Sequence, residues 1–134
     1  MIYALDTNII SYLLRPDEEV VARYLEATDN GDTCVIPPVA YYEIKRGLLA
    51  ANATTKMLAF NELCGSVDVG QMPPLAWDEA ARIYTINRRR GLVVEDSDVF
   101  IAAFCLVNGY TLVTNNTKHF KRVEGLRFVD WKAL

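Results

Sequence analysis

The sequence predicts an α/β fold, a parallel sheet with helices on both faces, and three observations carry that prediction. Short apolar runs alternate along the chain with longer segments of helical periodicity, the pattern of strands joined by helical crossovers. The runs at 2–5, 33–36 and 110–113 are nearly continuous in apolar character rather than alternating, as expected of strands covered on both sides. Finally, 134 residues with 51% hydrophobic and 23% charged side chains suffice for one core and exclude a disordered or low-complexity chain. The chain is read as a single domain over residues 1–134.

Each element has a local reason. Residues 2–5 end at Asp6 and suit a buried strand. Thr7-Asn8 can cap a helix over 9–14, which Arg15-Pro16-Asp17 interrupts. Asp17 caps a second helix, with Val20, Val21, Tyr24 and Leu25 on one face. Asn30-Gly31-Asp32 turns the chain into the strand 33–36, and Pro38 is well placed to open a helix over about 39–51. A further helix is expected over 53–63, ending near Gly65, and then a weak strand at 67–69. The helix 77–90 carries Ala80, Ala81, Ile83 and Tyr84 and stops at Gly91. Glu95-Asp96-Ser97-Asp98 opens a helix capped by Asp96 or Ser97 and ending at Asn108-Gly109; apolar all round over 99–107, it belongs in the core. Strands at 110–113 and 126–129 complete the order.

Charge and cysteine usage narrow the function classes. Fourteen Lys and Arg against 17 Asp and Glu give a net charge of −3, so only local patches can steer a polyanion. Cys34, Cys64 and Cys105 form no CxxC pair and His119 is the lone histidine, which argues against a structural zinc site or a disulfide framework. A reducing, cytoplasmic setting is expected. The longest apolar run, 99–107, is about half the length of a membrane span, and Met-Ile-Tyr-Ala-Leu-Asp lacks the basic region of a secretory signal. No GxGxxG or GxxxxGK[ST] stretch supports a nucleotide-binding reading.

In open α/β sheets, ligands bind beyond the C-terminal ends of the strands. Asp6 follows the first strand, and Asn115 and Asn116 follow the strand 110–113. Glu43 stands one turn into the helix after the second strand, and Asp98 lies in the first turn of the apolar helix. Each has a plain structural alternative: a helix cap for Asp6, a dipole partner for Asp98, an ion pair with Lys45 or Arg46 for Glu43. Gathered at one edge, three carboxylates would repel or take up protons unless a cation joined them. Mg²⁺ or Mn²⁺ takes oxygen ligands and can activate water against a phosphodiester, chemistry that requires neither histidine nor cysteine. Arg88-Arg89-Arg90, with Lys118, Lys121, Arg122 and Arg127, could guide an RNA backbone or simply offset a helix dipole. Trp77, Trp131, Cys34 and Cys105 read as packing residues, and Cys64 as partly exposed.

Four segments in order carry a family resemblance: Leu5-Asp6-Thr7-Asn8-Ile9; Glu43 with Gly47; Asp98-Val99-Phe100-Ile101-Ala102-Ala103; and Leu112-Val113-Thr114-Asn115-Asn116 followed by Phe120. Val123-Glu124-Gly125-Leu126 with Trp131 adds to them. The sequence resembles PIN domains, and among them the VapC-type toxin ribonucleases of bacterial toxin–antitoxin systems. The resemblance implies a PIN-like fold and a metal-dependent endoribonuclease acting on transfer RNA or another structured RNA. Asp6, Glu43 and Asp98 would be its acids, with Asp6 and Asp98 holding Mg²⁺ or Mn²⁺. Asn116 stands where many relatives carry a fourth acid, and His119, where an acid is often found, receives no metal role. Asp96 is a possible helper to Asp98, and Thr7 and Thr114 could hydrogen-bond the carboxylates. A homodimer and a cognate antitoxin are implied too, with Leu48, Leu49, Met57, Leu58 and Phe60 as candidate antitoxin contacts or core. A PIN-type nuclease of RNA processing without an antitoxin, and a catalytically silent RNA- or protein-binding PIN module, stand as alternatives.

Overall fold

The structure is a computed structural model that describes residues 1–132. Five parallel strands form one sheet in the order β3-β2-β1-β4-β5. They are β1 (Ile2–Leu5), β2 (Thr33–Ile36), β3 (Asp68–Val69), β4 (Thr111–Val113) and β5 (Phe128–Val129). Seven helices connect them: α1 (Thr7–Leu14), α2 (Glu18–Asp29), α3 (Pro38–Ala50), α4 (Thr54–Ser66), α5 (Pro74–Arg89), α6 (Asp96–Asn108) and α7 (Thr117–Phe120). The chain adds β2 and β3 on one side of β1, then returns to add β4 and β5 on the other. Right-handed crossovers therefore put α1–α4 on one face and α5–α7 on the opposite face. Register is set by pairings such as Ala4 with Val35 and Leu5 with Val113.

Several boundaries differ from the sequence reading. The cap of α1 is Asp6, whose carboxylate accepts the Thr7 N–H, so Thr7 and Asn8 lie inside the helix rather than capping it. α6 begins at Asp96 behind Glu95 without a side-chain cap bond, so neither Asp96 nor Ser97 caps it. α5 starts at Pro74, three residues before Trp77, because a proline at the first helical position lacks only an N–H that would be unpaired anyway. The short α7, formed by Thr117-Lys118-His119-Phe120, was not foreseen; one turn carries too little periodicity to read. Asp17 caps α2 as expected, accepting the Val20 N–H.

The core lies where α6 crosses the sheet. Val99 and Ile101, Ala102, Ala103, Phe104 and Cys105 are all buried. Gly109 ends α6 in the left-handed conformation, at φ 71°, as a C-terminal glycine does. A β-carbon at Gly70 would stand 2.5 Å from the Phe104 ring, so the glycine admits close approach of the chain after β3 to α6. Trp131 is buried, with its ring 5.5 Å from that of Tyr3, as a packing residue should be. Trp77 departs from that reading: it is half exposed and packs one edge on Phe100. No helix among the described residues is long and apolar enough to cross a membrane.

Candidate active site

The direction of chain addition reverses between β1 and β4, and an open parallel sheet forms a crevice at such a point, beyond the strand ends. Asp6 leaves β1 there and Thr114 leaves β4 beside it; the Asp6 N–H donates to the Val113 carbonyl at 2.9 Å. Both carboxylate oxygens of Asp6 are engaged. Oδ1 accepts the Thr7 N–H at 2.8 Å and Oδ2 accepts the Thr114 hydroxyl at 2.7 Å. Since Thr114 gives its proton to Asp6, its oxygen is free to accept the Asn116 N–H at 2.9 Å, which fixes the loop after β4. The cap of α1 and the exit of β4 are thus tied through one carboxylate.

The other acids come from helices that begin at the same edge. Glu43, on α3, accepts the Thr7 hydroxyl through Oε1 at 2.8 Å, and its Oε2 stands 3.9 Å from Arg46. Asp98, in the first turn of α6, lies with Oδ2 3.1 Å from His119 Nδ1. Asp6, Glu43, Asp98 and Asn116 all line one cleft of about 250 Å³, which Glu95, Ser97 and His119 also border. Thr7 and Thr114 hydrogen-bond carboxylates as the sequence suggests. Asp96, considered as a helper, is exposed and takes no part in the lining.

Electrostatics set this cleft apart. Burial pushes the Asp6 carboxyl up to about 6; its hydrogen bonds with Thr114 and Thr7 oppose the rise, and Asp98 and Glu43 add to it. Asp98 is also raised, chiefly by burial, while His119 pulls it back. Buried carboxylates facing further carboxylates favour any cation that can join them. The donors are oxygens, and the sulfurs of Cys34 and Cys105 are buried in the core, so the set suits a hard divalent ion. Among the described residues, no group of three His, Cys, Asp or Glu side chains stands close enough together to hold a metal ion by itself.

Two residues at this cleft were underrated by sequence reasoning. His119, which the resemblance leaves without a metal role, is delivered to Asp98 by α7; its only sequence signal is the departure from an expected acid. Glu95 was read merely as part of a helix opening. The basic residues fare differently. Arg88, Arg89 and Arg90 follow one another at the end of α5, outside the cleft lining. Arg122 donates to the Val93 carbonyl and Arg127 to the Gly109 carbonyl, so both are tied to the backbone.

A parallel sheet with carboxylates gathered at its switch point defines a class, and comparison identifies it. The PIN domain family model matches residues 3–126, and the chain belongs to the PIN-domain family. Within the family it is of the VapC kind. It is similar to ribonuclease VapC2 of Rickettsia felis, 26% identical with 98% of each chain covered. It is also similar to the tRNA(fMet)-specific endonuclease VapC of Shigella flexneri, 30% identical with 96% of this chain and 97% of the relative covered. The structure of VapBC-1 from nontypeable Haemophilus influenzae superposes with a TM-score of 0.88 at 27% identity, covering 99% of this chain and 100% of that one.

Proposed function

We propose that this chain, as one PIN unit over residues 1–134, is the toxin of a toxin–antitoxin pair and hydrolyses RNA phosphodiester bonds with a divalent metal, Mg²⁺ or Mn²⁺. The observation that carries the reading is the meeting of Asp6, Glu43, Asp98 and Asn116 in one cleft, where burial and like charge hold Asp6 near a pKa of about 6. Asp6 and Asp98 would hold the ion, as the PIN resemblance implies; burial raises both carboxyls, a cost that a bound cation would offset. A bound Mg²⁺ or Mn²⁺ supplies Lewis acidity at the phosphoryl oxygens and a lowered pKa for an attacking water.

The chain's own groups do the rest. Glu43, oriented by the Thr7 hydroxyl, faces the same space and can share the ion or orient the water. Thr114 keeps Oδ2 of Asp6 in place, as a residue one step behind a ligand does. Asn116 offers an uncharged amide at the cleft wall, able to hydrogen-bond a phosphoryl oxygen without adding negative charge. The name of the Shigella relative supports transfer RNA as the substrate class. The VapBC neighbour supports an antitoxin partner. A homodimer in the cytoplasm remains part of the proposal. The presence of all the acids in one cleft disfavours a catalytically silent module.

Purified protein incubated with transfer RNA in Mg²⁺ or Mn²⁺ tests the reading. Discrete fragments are expected from wild type, none with a chelator, and none from a folded Asp6→Ala protein. Metal-dependent cleavage that survives Asp6→Ala would overturn the assignment of Asp6.

A further inference from the structure

A second groove of about 400 Å³ continues from the acid cleft; the two share Thr7 and Glu43 as lining. It runs between α1, α3 and α4, and two cations border it, Arg15 at the end of α1 and Lys56 in the first turn of α4. Arg15 lies about 12 Å beyond Thr7 along α1, at the helical rise of 1.5 Å per residue. Neither cation joins an ion pair among the described residues. Neighbouring cations of α3 are occupied: Lys45 lies over the Tyr41 ring and Arg46 over the Tyr42 ring. What sets these two cations apart is their place, along one trough that leads from the carboxylate cleft.

Resting on the ribonuclease reading, we propose that this groove is the strand-guiding subsite of the enzyme. Arg15 and Lys56 hold backbone phosphates of single-stranded RNA on one side of the scissile bond. The physics favours a nucleic acid strand. The acid cleft repels phosphate when no cation is bound, so affinity for the strand must come from positive charge placed beside it rather than in it. Leu14 and Leu48 give the trough an apolar wall against which a base can lie, while the two cations meet the backbone. Such contacts supply affinity and position without reading sequence. Arg15 and Lys56 are therefore positioning residues: their loss should weaken RNA binding and leave the chemical step intact.

The experiment compares Arg15→Gln, Lys56→Gln and their double variant with Arg23→Gln, an exposed cation on α2 that borders neither groove. Binding of a fluorescent single-stranded oligoribonucleotide is followed by anisotropy on an Asp6→Asn background, across a salt series. Cleavage of transfer RNA is followed under single-turnover conditions on the wild-type background. Kd and KM are expected to rise about tenfold for each cation removed, with the saturating rate changed less than about twofold. The slope of log K against log salt should lose about 0.7 for each cation removed, and Arg23→Gln should alter nothing. Lys56→Glu, a charge reversal at a half-exposed site, should exceed Lys56→Gln. Unchanged Kd and salt slope in the double variant would overturn the proposal and leave the groove to a protein segment. So would a fall in the saturating rate with binding intact. Wild type that binds RNA through Arg15 and Lys56 but never cleaves it would instead remove the ribonuclease reading and leave the groove standing.

Discussion

Along α6 two regions of opposite material meet within one turn. Asp98 faces the cleft with other carboxylates near it, and from Val99, next in the chain, to Cys105 every residue but the partly buried Phe100 is buried. The cleft is held by directed bonds, Thr7 to Glu43 and Thr114 to Asp6, yet its charges oppose one another. The α6 interior has no charge to reconcile and is held by close packing, down to the glycine that lets Phe104 in. The contrast teaches that this chain keeps function and stability in separate places. Changes at the cleft should cost activity and spare the fold, and changes along the α6 interior should do the reverse.

The largest test of that separation is Asp6→Asn. It keeps the shape and removes the charge, so cleavage should fall at least about 10³-fold, equivalent to about 4 kcal/mol of transition-state stabilisation, while the cooperative unfolding transition persists. Loss of the fold with the activity would break the comparison. Phe104→Ala makes the opposite cut. It should destabilise by about 3–5 kcal/mol in denaturant titration, with the cleavage rate per folded molecule retained.

A pH series sharpens the comparison next. The folded-state pKa of Asp6, about 6, lies above its unfolded value, so ionising Asp6 costs the folded form. Its contribution is most favourable below about pH 4 and is lost as pH rises through 6, a difference of about 3 kcal/mol between wild type and Asp6→Asn in metal-free protein. Unfolding curves of the pair from pH 4 to pH 7 check the sign. Thr114→Val is the smallest of these effects. It removes the hydroxyl that holds Asp6, and metal affinity should fall about 10- to 100-fold with little change in fold.

Much of this molecule was legible before its structure, and the illegible parts have physical reasons. The strands at 33–36 and 110–113 were readable because burial leaves few polar gaps to confuse, and so was the apolar helix, although Val107 at the end of its run 99–107 is exposed rather than in the core. The acids were readable one by one, but their convergence was not, since it depends on where the sheet reverses between β1 and β4. Asp6 was open to reading as either cap or site residue, and the structure makes it a cap while also placing it in the cleft. The approach of His119 to Asp98 was not legible because α7 is a single turn. Among the apolar residues of α3 and α4, Phe60 is wholly buried while Leu49 and Leu58 are exposed, a division that their shared chemistry could not reveal.

The central claim is that the cleft's acids oppose one another until a cation joins them. The direct measurement is the thermal stability of wild type, Asp6→Asn and Asp98→Asn at pH 7, each with a chelator and with Mn²⁺. The account predicts a metal-induced rise for wild type, and a smaller rise or none for the two variants, both of which should match or exceed wild type when metal is absent. A wild-type transition indifferent to Mn²⁺, or variants less stable than wild type without it, would contradict the account.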